Sequence, residues 1–598
     1  MVGNAAIQPE LTKAIETRAY YLSDLPSLET ALCKGLLQDW RGIVAQDPIA
    51  SLFQTPGWCM PWYRCYKSTY DPYVIVVTAS SGLVGIVPMA VHRETGEFAF
   101  ASNTMADYRD IVALPGYRAA VVSELIQCYL SERFSNPLEV GWMDPASDTP
   151  ALIADICRSR GLHYIVRHQP CWRWFPPPPP KPSAQKFLNW YKRQGTVTFE
   201  VIDSAPAWLQ FREEYYRQHS LRQIQAGRQT SFEDSRKAAL YEEMFHSTEV
   251  RAHVSGFYVN GKMLAGHFGH VWRDVLLLGP PSIRLEDEQR SPAVILFAWI
   301  IQNAAELGLA GFDLTIGDSD FKKRLGNQCV ELTAVDIYAH KRSYYLRAAR
   351  TGLLSKLKKA IGEDTWKTNI KPVGAWLHYK RQRIAEMGAA AIVGAALRTS
   401  ASVFYERQTE VVYSATRETL RRVAPKLKGD EVHDNRIEDL LLWQGTSPSV
   451  SSALTACARS YARIRNLKHT LHTVVVSDAL AGWCYSYTPE PQEQEGSVAL
   501  SDAVRYQPGS AVAYGVYALP GFREVAVYEA LVGSVAQSRM EGGATQAYVI
   551  SPGADRVLRS AIEALGFRAA AVREHKRLFR TSSSTVTEHA GNHAGNKA

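Results

Sequence analysis

Groups able to move protons or hold an anion cluster between residues 263 and 322 of this 598-residue chain. His267 and His270 lie in the strand-like run Met263 to Trp272. Successive strand side chains alternate faces, so residues three apart cannot share one. His267 is the candidate base, with a packed structural histidine as the plainer reading. Arg290, Ser291, Pro292, Ala293 and Val294 open a helix directly after a strand and a loop. A helix N-terminus offers free N–H groups and partial positive charge, which suits a pyrophosphate. Ser291 fits the N-cap and Pro292 the first helical position. Asp313 sits in the next strand, and Asp318 and Lys322 follow in a Gly-Asp-Ser-Asp-Phe-Lys loop. Asp313 reads as a base or a substrate contact. Lys322 reads as its partner or as a contact to the anionic ligand, and a structural Asp–Lys pair is the alternative.

The elements that would position these groups follow from periodicity. Tyr73 to Ala79 and Leu83 to Val91, split by Ser-Ser-Gly, read as a hairpin. Ala119 to Leu130 reads as a helix. Asn260-Gly261 joins two strand patterns and marks a second hairpin. A helix from about Ala293 to Leu307 precedes the strand Gly311 to Ile316. Further on, Leu471 to Val476, Ala481 to Tyr487, Ala511 to Leu519 and Ala547 to Ile550 read as strands, and Val525 to Met540 and Arg556 to Leu565 as helices.

The length calls for several domains. The expected division is 1–175, a polyproline spacer at 176–182 (five consecutive prolines from Pro176), 183–340, a basic helical connector at 341–400, 401–580, and a disordered polar tail at 581–598. With 46% apolar and 21% charged residues, the chain is globular in composition. Residues 341–400 hold 13 Lys or Arg against 3 Asp or Glu, more than the net +8 of the whole chain. The excess is therefore local, which argues against a general nucleic-acid binder. The segment is a solvated connector or a peripheral contact to a membrane or a protein. Nine cysteines without a C-x-x-C pair give neither a disulfide framework nor a zinc site, so no metal is expected. The start of the chain lacks a signal-peptide pattern, and its longest strongly apolar run, Met387 to Leu397, is too short to span a membrane. A cytoplasmic location is expected.

Three segments carry a resemblance to the CelD/BioF2-like acyltransferases of the GNAT superfamily, which are related to Fem-type tandem units. Phe53, Pro56 and Trp58 look like that family's Phe-x-x-Pro-x-Trp signature. Asp107, Tyr108 and Asp110 look like its Asp-Tyr segment. Leu276 to Gly326 is similar to its strand, Ser-Pro-Gly helix start, Phe-Asp strand and Gly-Asp-x-x-(Tyr/Phe)-Lys loop. The resemblance implies tandem α/β (α+β) GNAT folds with mixed sheets flanked by helices. It also implies transfer of an acyl group from acetyl-CoA or another acyl-CoA to an amine, in some members beside exopolysaccharide or cellulose synthesis. On this reading Arg290 to Val294 bind the donor, Asp313, Lys322 or His267 do the proton chemistry, and Asp107, Tyr108, Asp110 and Asp318 contact the acceptor. One departure is Ala293, where the family has Gly, which lets a backbone approach phosphate closely.

Ser510 to Leu531 and Ala564 to Phe567 resemble a second, looser GNAT unit. Its phosphate loop reads Arg523-Glu524-Val525-Ala526-Val527-Tyr528, with Glu524 where an anion would sit. This unit is expected to be non-catalytic. Two other readings stand beside the enzyme: a degenerate GNAT-fold scaffold of a polysaccharide-synthesis complex, and a Fem-like transferase dependent on aminoacyl-tRNA.

Overall fold

The structure, a computed structural model, describes residues 16–177, 183–349, 405–421, 432–489 and 506–588, apart from isolated positions inside those spans. The described residues fall into two compact units. The first is drawn from Met1–Tyr216, Ser231–Arg284 and Arg290–Ile361, and the second from Arg217–Thr230, Leu285–Gln289 and Gly362–Ala598.

The first unit holds two sheets. One contains β1 (Arg18–Leu22), β2 (Tyr70–Ala79), β3 (Gly82–His92), β4 (Phe98–Phe100) and β5 (Val112–Ala113). Its order is β1-β2-β3-β4, with β5 also on β3. The other contains β6 (Leu138–Met143), β7 (His163–Trp174), β8 (Val197–Val201), β9 (Arg251–Val259), β10 (Lys262–Trp272), β11 (Val275–Leu277), β12 (Pro281–Ile283), β13 (Gly311–Ile316) and β14 (Gln328–Tyr338). Its order is β6-β14-β7-β13-β11-β10-β9-β8, with β12 on β10. The hairpins expected from sequence are β2–β3 and β9–β10. Asn260 and Gly261 both take positive φ, as a tight hairpin turn requires.

One rung pattern in the second sheet creates the space for a site. β11 and β13 are parallel for three residues, Val275–Leu277 against Gly311–Asp313. A last bond runs from Leu278 N–H to the Asp313 carbonyl at 2.9 Å. The next strand, β12, pairs with β10 instead, so the sheet opens between β12 and β13. Gly279 sits at that parting. A Cβ there would lie 1.7 Å from the Phe268 carbonyl oxygen, so only glycine fits. The helix α1 (Pro292–Gln302) leads back to β13, and nine of its residues are buried, as a helix apolar on every side demands.

The second unit has one sheet: β15 (Tyr405–Thr416), β16 (Val432–Asp434), β17 (Thr470–Val476), β18 (Ala479–Tyr487), β19 (Ala511–Ala518), β20 (Gln546–Pro552), β21 (Arg568–Leu578) and β22 (Thr581–Glu588). Its order is β16-β17-β18-β19-β20-β15-β21-β22. Here too a single parallel pair lasts three residues, Ala511–Ala513 against Ala547–Val549, and a helix, α2 (Val525–Glu541), joins its strands. Gly515, at φ +61°, marks a bulge just past the last of those rungs.

Two differences from the sequence-based division have physical causes. The segments on either side of residue 175 share a sheet, because β6 and β7 pair with β14. Only Pro176 and Pro177 of the proline run are described, while 178–182 lie outside the described residues. Thr581–Glu588 forms β22 on β21 rather than part of a disordered tail, in keeping with its β-branched Thr and Val. Residues 341–349 are helical, and the rest of the basic connector, 350–400, lies outside the described residues.

A buried ion pair pins the first sheet. Arg118 Nη2 donates to both Asp47 oxygens, at 2.8 and 2.6 Å, and the two side chains are 9% and 1% exposed. Asp47 also accepts from the Ala113 and Ile49 N–H groups. Removing one partner of such a pair strands the other charge. Arg118→Ala is expected to cost about 3–5 kcal/mol in urea unfolding of the full chain; a loss below about 1 kcal/mol would show that Asp47 finds another cation or water.

Candidate active site

The Asp313 carboxylate is the hub of the opening in the second sheet. Oδ1 accepts from Tyr108 Oη at 2.7 Å, from Cys171 Sγ at 3.3 Å and from the Thr315 N–H at 2.8 Å. Oδ2 accepts from Arg173 Nε at 3.1 Å. Arg173 reaches on to Asp144 at 2.7 Å. Burial lowers the pKa of Arg173, and the Asp313 and Asp144 charges outweigh it and raise the value. Burial and the Asp313 charge push the Cys171 thiol up to about 12. Asp313 is buried, and all four donors hold it as an acceptor. It is a positioning group in this geometry, with little of its lone-pair capacity free to take a substrate proton.

The end of β13 is distorted around this hub. Thr315 has φ +58°, an outlier for a β-branched residue that costs on the order of 1–3 kcal/mol and tends to occur at functional sites. The distortion turns the Thr315 and Ile316 carbonyls toward Lys322 Nζ, which donates to them at 3.3 and 2.6 Å. Lys322 therefore caps the strand end, and the ion pair of Asp313 is with Arg173. Burial lowers the Lys322 pKa, and the Asp107 charge opposes that shift. The half-buried Asp107 carboxyl is pushed up to about 6. Desolvation is the main cause and Asp313 adds to it, against Lys322, Arg109 and a hydrogen bond with Thr315. Asp107 thus combines a strand-end lysine, a strained threonine and a near-neutral pKa.

The N-terminal signature positions this loop. Phe53 packs edge-on against Tyr108 with centroids 6.0 Å apart. Gln54 Nε2 donates to the Tyr108 carbonyl at 2.7 Å, and Trp58 Nε1 donates to Ser102 Oγ at 2.7 Å. Thr55 caps the helix Pro56–Tyr66 that carries Trp58.

The other expected site residues divide. Asp110 is buried and engaged, accepting from Ser147 Oγ at 2.6 Å and the Ile111 N–H at 2.7 Å, with Arg118 at 3.6 Å. It holds the first sheet and is not presented to a substrate. Asp318 is exposed on the rim, where Trp172 Nε1 donates to it at 3.0 Å and Lys323 at 2.7 Å. His267 is fully buried, edge-on to Phe297. Its Nε2 accepts from the Gly279 N–H at 3.1 Å, which occupies the lone pair a base would use. His270 points to the opposite face, edge-on to Trp58. Ser291 holds the cap position but in a left-handed conformation, without a side-chain cap bond. Its carbonyl takes the Val294 and Ile295 N–H groups at 3.0 and 3.3 Å. Pro292 stands in the first turn as expected, Ala293 and Val294 are buried, and the Arg290 guanidinium stacks 3.9 Å from the Trp190 ring centroid. Sequence reasoning missed Cys171, Arg173 and Thr315. The first two alternate on β7, a strand hidden by the boundary placed just after it. Among the described residues no cluster is suited to a metal ion, and no helix is long and apolar enough to cross a membrane.

Three buried histidines give this unit an acid sensitivity. Burial holds His253 at about 4, His270 at about 3 and His267 well below the ordinary value. A depressed histidine contributes stability above its unfolded pKa near 6.5 and loses it as pH falls. Asp107, raised to about 6, works in the opposite direction and adds stability as pH drops through that value. At pH 5 each histidine is expected to cost about 2 kcal/mol, outweighing Asp107. Urea midpoints should therefore fall between pH 7.5 and 5, and a flat profile would contradict the buried neutral histidines.

Residues 183–323 match a family model described as an acetyltransferase (GNAT) domain. No curated protein matches the chain. Similar solved structures include FemX, 11% identical over 52% of this chain and 97% of that one, with a TM-score of 0.39. A GCN5-related N-acetyltransferase from Sphaerobacter thermophilus is 11% identical over 54% and 95%, with a TM-score of 0.31. A tandem GNAT protein from the clavulanic acid biosynthesis pathway is 12% identical over 54% and 99%, with a TM-score of 0.31. The family match is confined to residues 183–323, which lie within a mixed α/β framework of sheets flanked by helices.

Proposed function

We propose that the first unit is an N-acyltransferase that moves an acetyl or longer acyl group from acyl-CoA to an amine. The observation that carries this reading is Asp107, whose carboxyl at about 6 stands beside the strand end where the sheet opens. A general base works best with a pKa near the working pH. In this scheme Asp107 takes the proton of the attacking amine nitrogen. Tyr108, in the same loop, is held by Asp313 and keeps Asp107 in register. The thioester supplies the acyl group, and its sulfur leaves as the thiol after protonation from solvent. The donor's anionic end would be held by Arg290 and the first turn of α1, where a helix N-terminus favours an anion. The acceptor is an amine of undefined class, and a link to exopolysaccharide or cellulose synthesis rests on the resemblance alone.

One observation favours the alternative of a GNAT-fold binding protein without catalysis. Val294 and Ile295 already give their N–H groups to Ser291, which leaves few donors for a pyrophosphate.

Calorimetry with acetyl-CoA, then turnover with a panel of amines, separates the two. The enzyme reading expects binding and a kcat/KM that rises with pH through about 6. Asp107→Asn should lower kcat about 10²–10⁴-fold with donor affinity kept. Binding without turnover of any amine supports the scaffold, and no binding of acetyl-CoA or longer acyl-CoAs removes the donor assignment.

A further inference from the structure

The second unit contains a hydrogen-bonded relay that its expected non-catalytic character does not explain. Asp434, His472 and Ser486 lie on β16, β17 and β18, three neighbouring strands. Asp434 and His472 are direct cross-strand partners, and Ser486 lies opposite Thr470, two residues from His472. The ladder thus brings the three side chains to one face. His472 Nδ1 is 2.5 Å from Asp434 Oδ1, and Nε2 is 2.7 Å from Ser486 Oγ.

The proton positions follow from the partners. The His472 hydrogen bond, aided by the Arg539 charge, holds the Asp434 carboxyl below the usual range against the pull of burial. An ionised carboxylate only accepts, so Nδ1 carries the proton and Nε2 accepts from the Ser486 hydroxyl. Ser486 Oγ in turn accepts from Arg539 Nη2 at 3.0 Å, and the same nitrogen donates to Thr470 Oγ1 at 2.8 Å. Among the described residues no carboxylate stands at ion-pair distance from Arg539, and its charge acts on Asp434, which lines the same cavity.

A cavity of about 430 Å³ adjoins this relay, lined among others by Asp434, Thr470, His472, Ser538 and Arg539. That volume suits a small ligand. Ser486 itself is buried. Its hydroxyl lies one side chain behind the cavity wall, since His472 and Arg539 both touch Oγ and both line the cavity.

A nucleophile hydrogen-bonded to a base that is oriented by a third group is the geometry of acyl transfer through an acyl-enzyme. We propose that the second unit holds a serine-based site of its own, in which Ser486 attacks a short acyl ester of a polar alcohol. The polar lining fits the alcohol. The Oγ–carbonyl carbon bond forms as the Ser486 proton passes to His472 Nε2. The carbon–alkoxide bond then breaks, and the alcohol leaves with that proton. Water attacks the acyl-serine, gives a proton to Nε2 and restores the Ser486 hydroxyl, so ester plus water becomes acid plus alcohol with no redox step. Arg539 Nη2 and the Thr470 hydroxyl are the donors nearest the developing oxyanion.

An alkyl fluorophosphonate on the full-length chain tests this, with the modified residue located by peptide mass spectrometry and p-nitrophenyl acetate hydrolysis followed in parallel. Labelling at Ser486 is expected. Hydrolysis should fall at least 100-fold in Ser486→Ala and in His472→Ala, and at least tenfold in Asp434→Asn, with acetyl-CoA binding to the first unit unchanged. Arg539→Ala, which uncovers the hydroxyl, should still label. No labelling of either wild type or Arg539→Ala overturns the proposal, as does labelling at another serine or a rate at Ser486 that His472→Ala leaves unaltered.

Discussion

The first unit is organised around one carboxylate. Asp313 is the last residue of β13 paired with β11, where the sheet parts, and accepts from four donors supplied by three separate stretches of chain. Tyr108 comes from the loop after the first sheet, Cys171 and Arg173 from β7, and the Thr315 N–H from β13 itself. A buried carboxylate needs such compensation, since the desolvation cost of an unpaired one is several kcal/mol. Satisfying it forces the loop carrying Asp107 against the opening. It also favours the left-handed Thr315, because only that local turn brings the 315 N–H back to its own strand's carboxylate. The strain at Thr315 and the burial of Arg173 are thus consequences of one charge placed where the ladder ends.

Much of this was legible in the sequence, and the failures are instructive. Asp313 and Lys322 stood out as candidates because their types and spacing sit in a strand-helix-strand frame that periodicity reveals, whereas Asp107 stood out only through the family resemblance of its Asp-Tyr segment. Their partners did not. Lys322 looked like a counter-ion to Asp313, yet it spends its ammonium on two carbonyls that only the Thr315 kink exposes. Arg173 was invisible because the proline run just after it looked like a domain boundary. β7 runs up to that point and pairs with strands on the far side, and proline composition says nothing about what the preceding strand pairs with. Ser291 illustrates local chemistry overridden by backbone: its side chain could cap the helix, but in the left-handed conformation it makes no such bond. His267 shows the limit of period-two reasoning, which sorts faces correctly but cannot tell a cleft from a core.

The two units solve the same topological problem. Each has an antiparallel sheet interrupted by a single three-residue parallel pair, with a helix linking the two strands. Parallel strands cannot be joined by a short turn, so the helix is the cost of the parallel pair. The glycines differ in kind: Gly279 is forced by a carbonyl that leaves no room for a Cβ, Gly515 by a positive φ at a bulge. In both cases the chain departs from its neighbour immediately after the third rung. A fold that opens its own sheet at a fixed place has a groove before any side chain is chosen, which leaves the chemistry of each groove free to differ.

The placement of β14 has a consequence for how the chain is made. β14 lies between β6 and β7, so two strands formed early in the sequence wait for a partner more than 180 residues downstream of β6. During synthesis at about 5–20 residues per second, β6 and β7 have left the ribosome roughly 10–40 s before the strand that joins them. For that interval the β7 edge, which carries Cys171 and Arg173, is an unpaired ladder. Such an edge invites pairing with another nascent chain. The native charges along it, Arg167 and Arg173, are the kind of residue that discourages such pairing. Arginines that later hold Asp336 and Asp313 would therefore first serve as guards against aggregation on the ribosome.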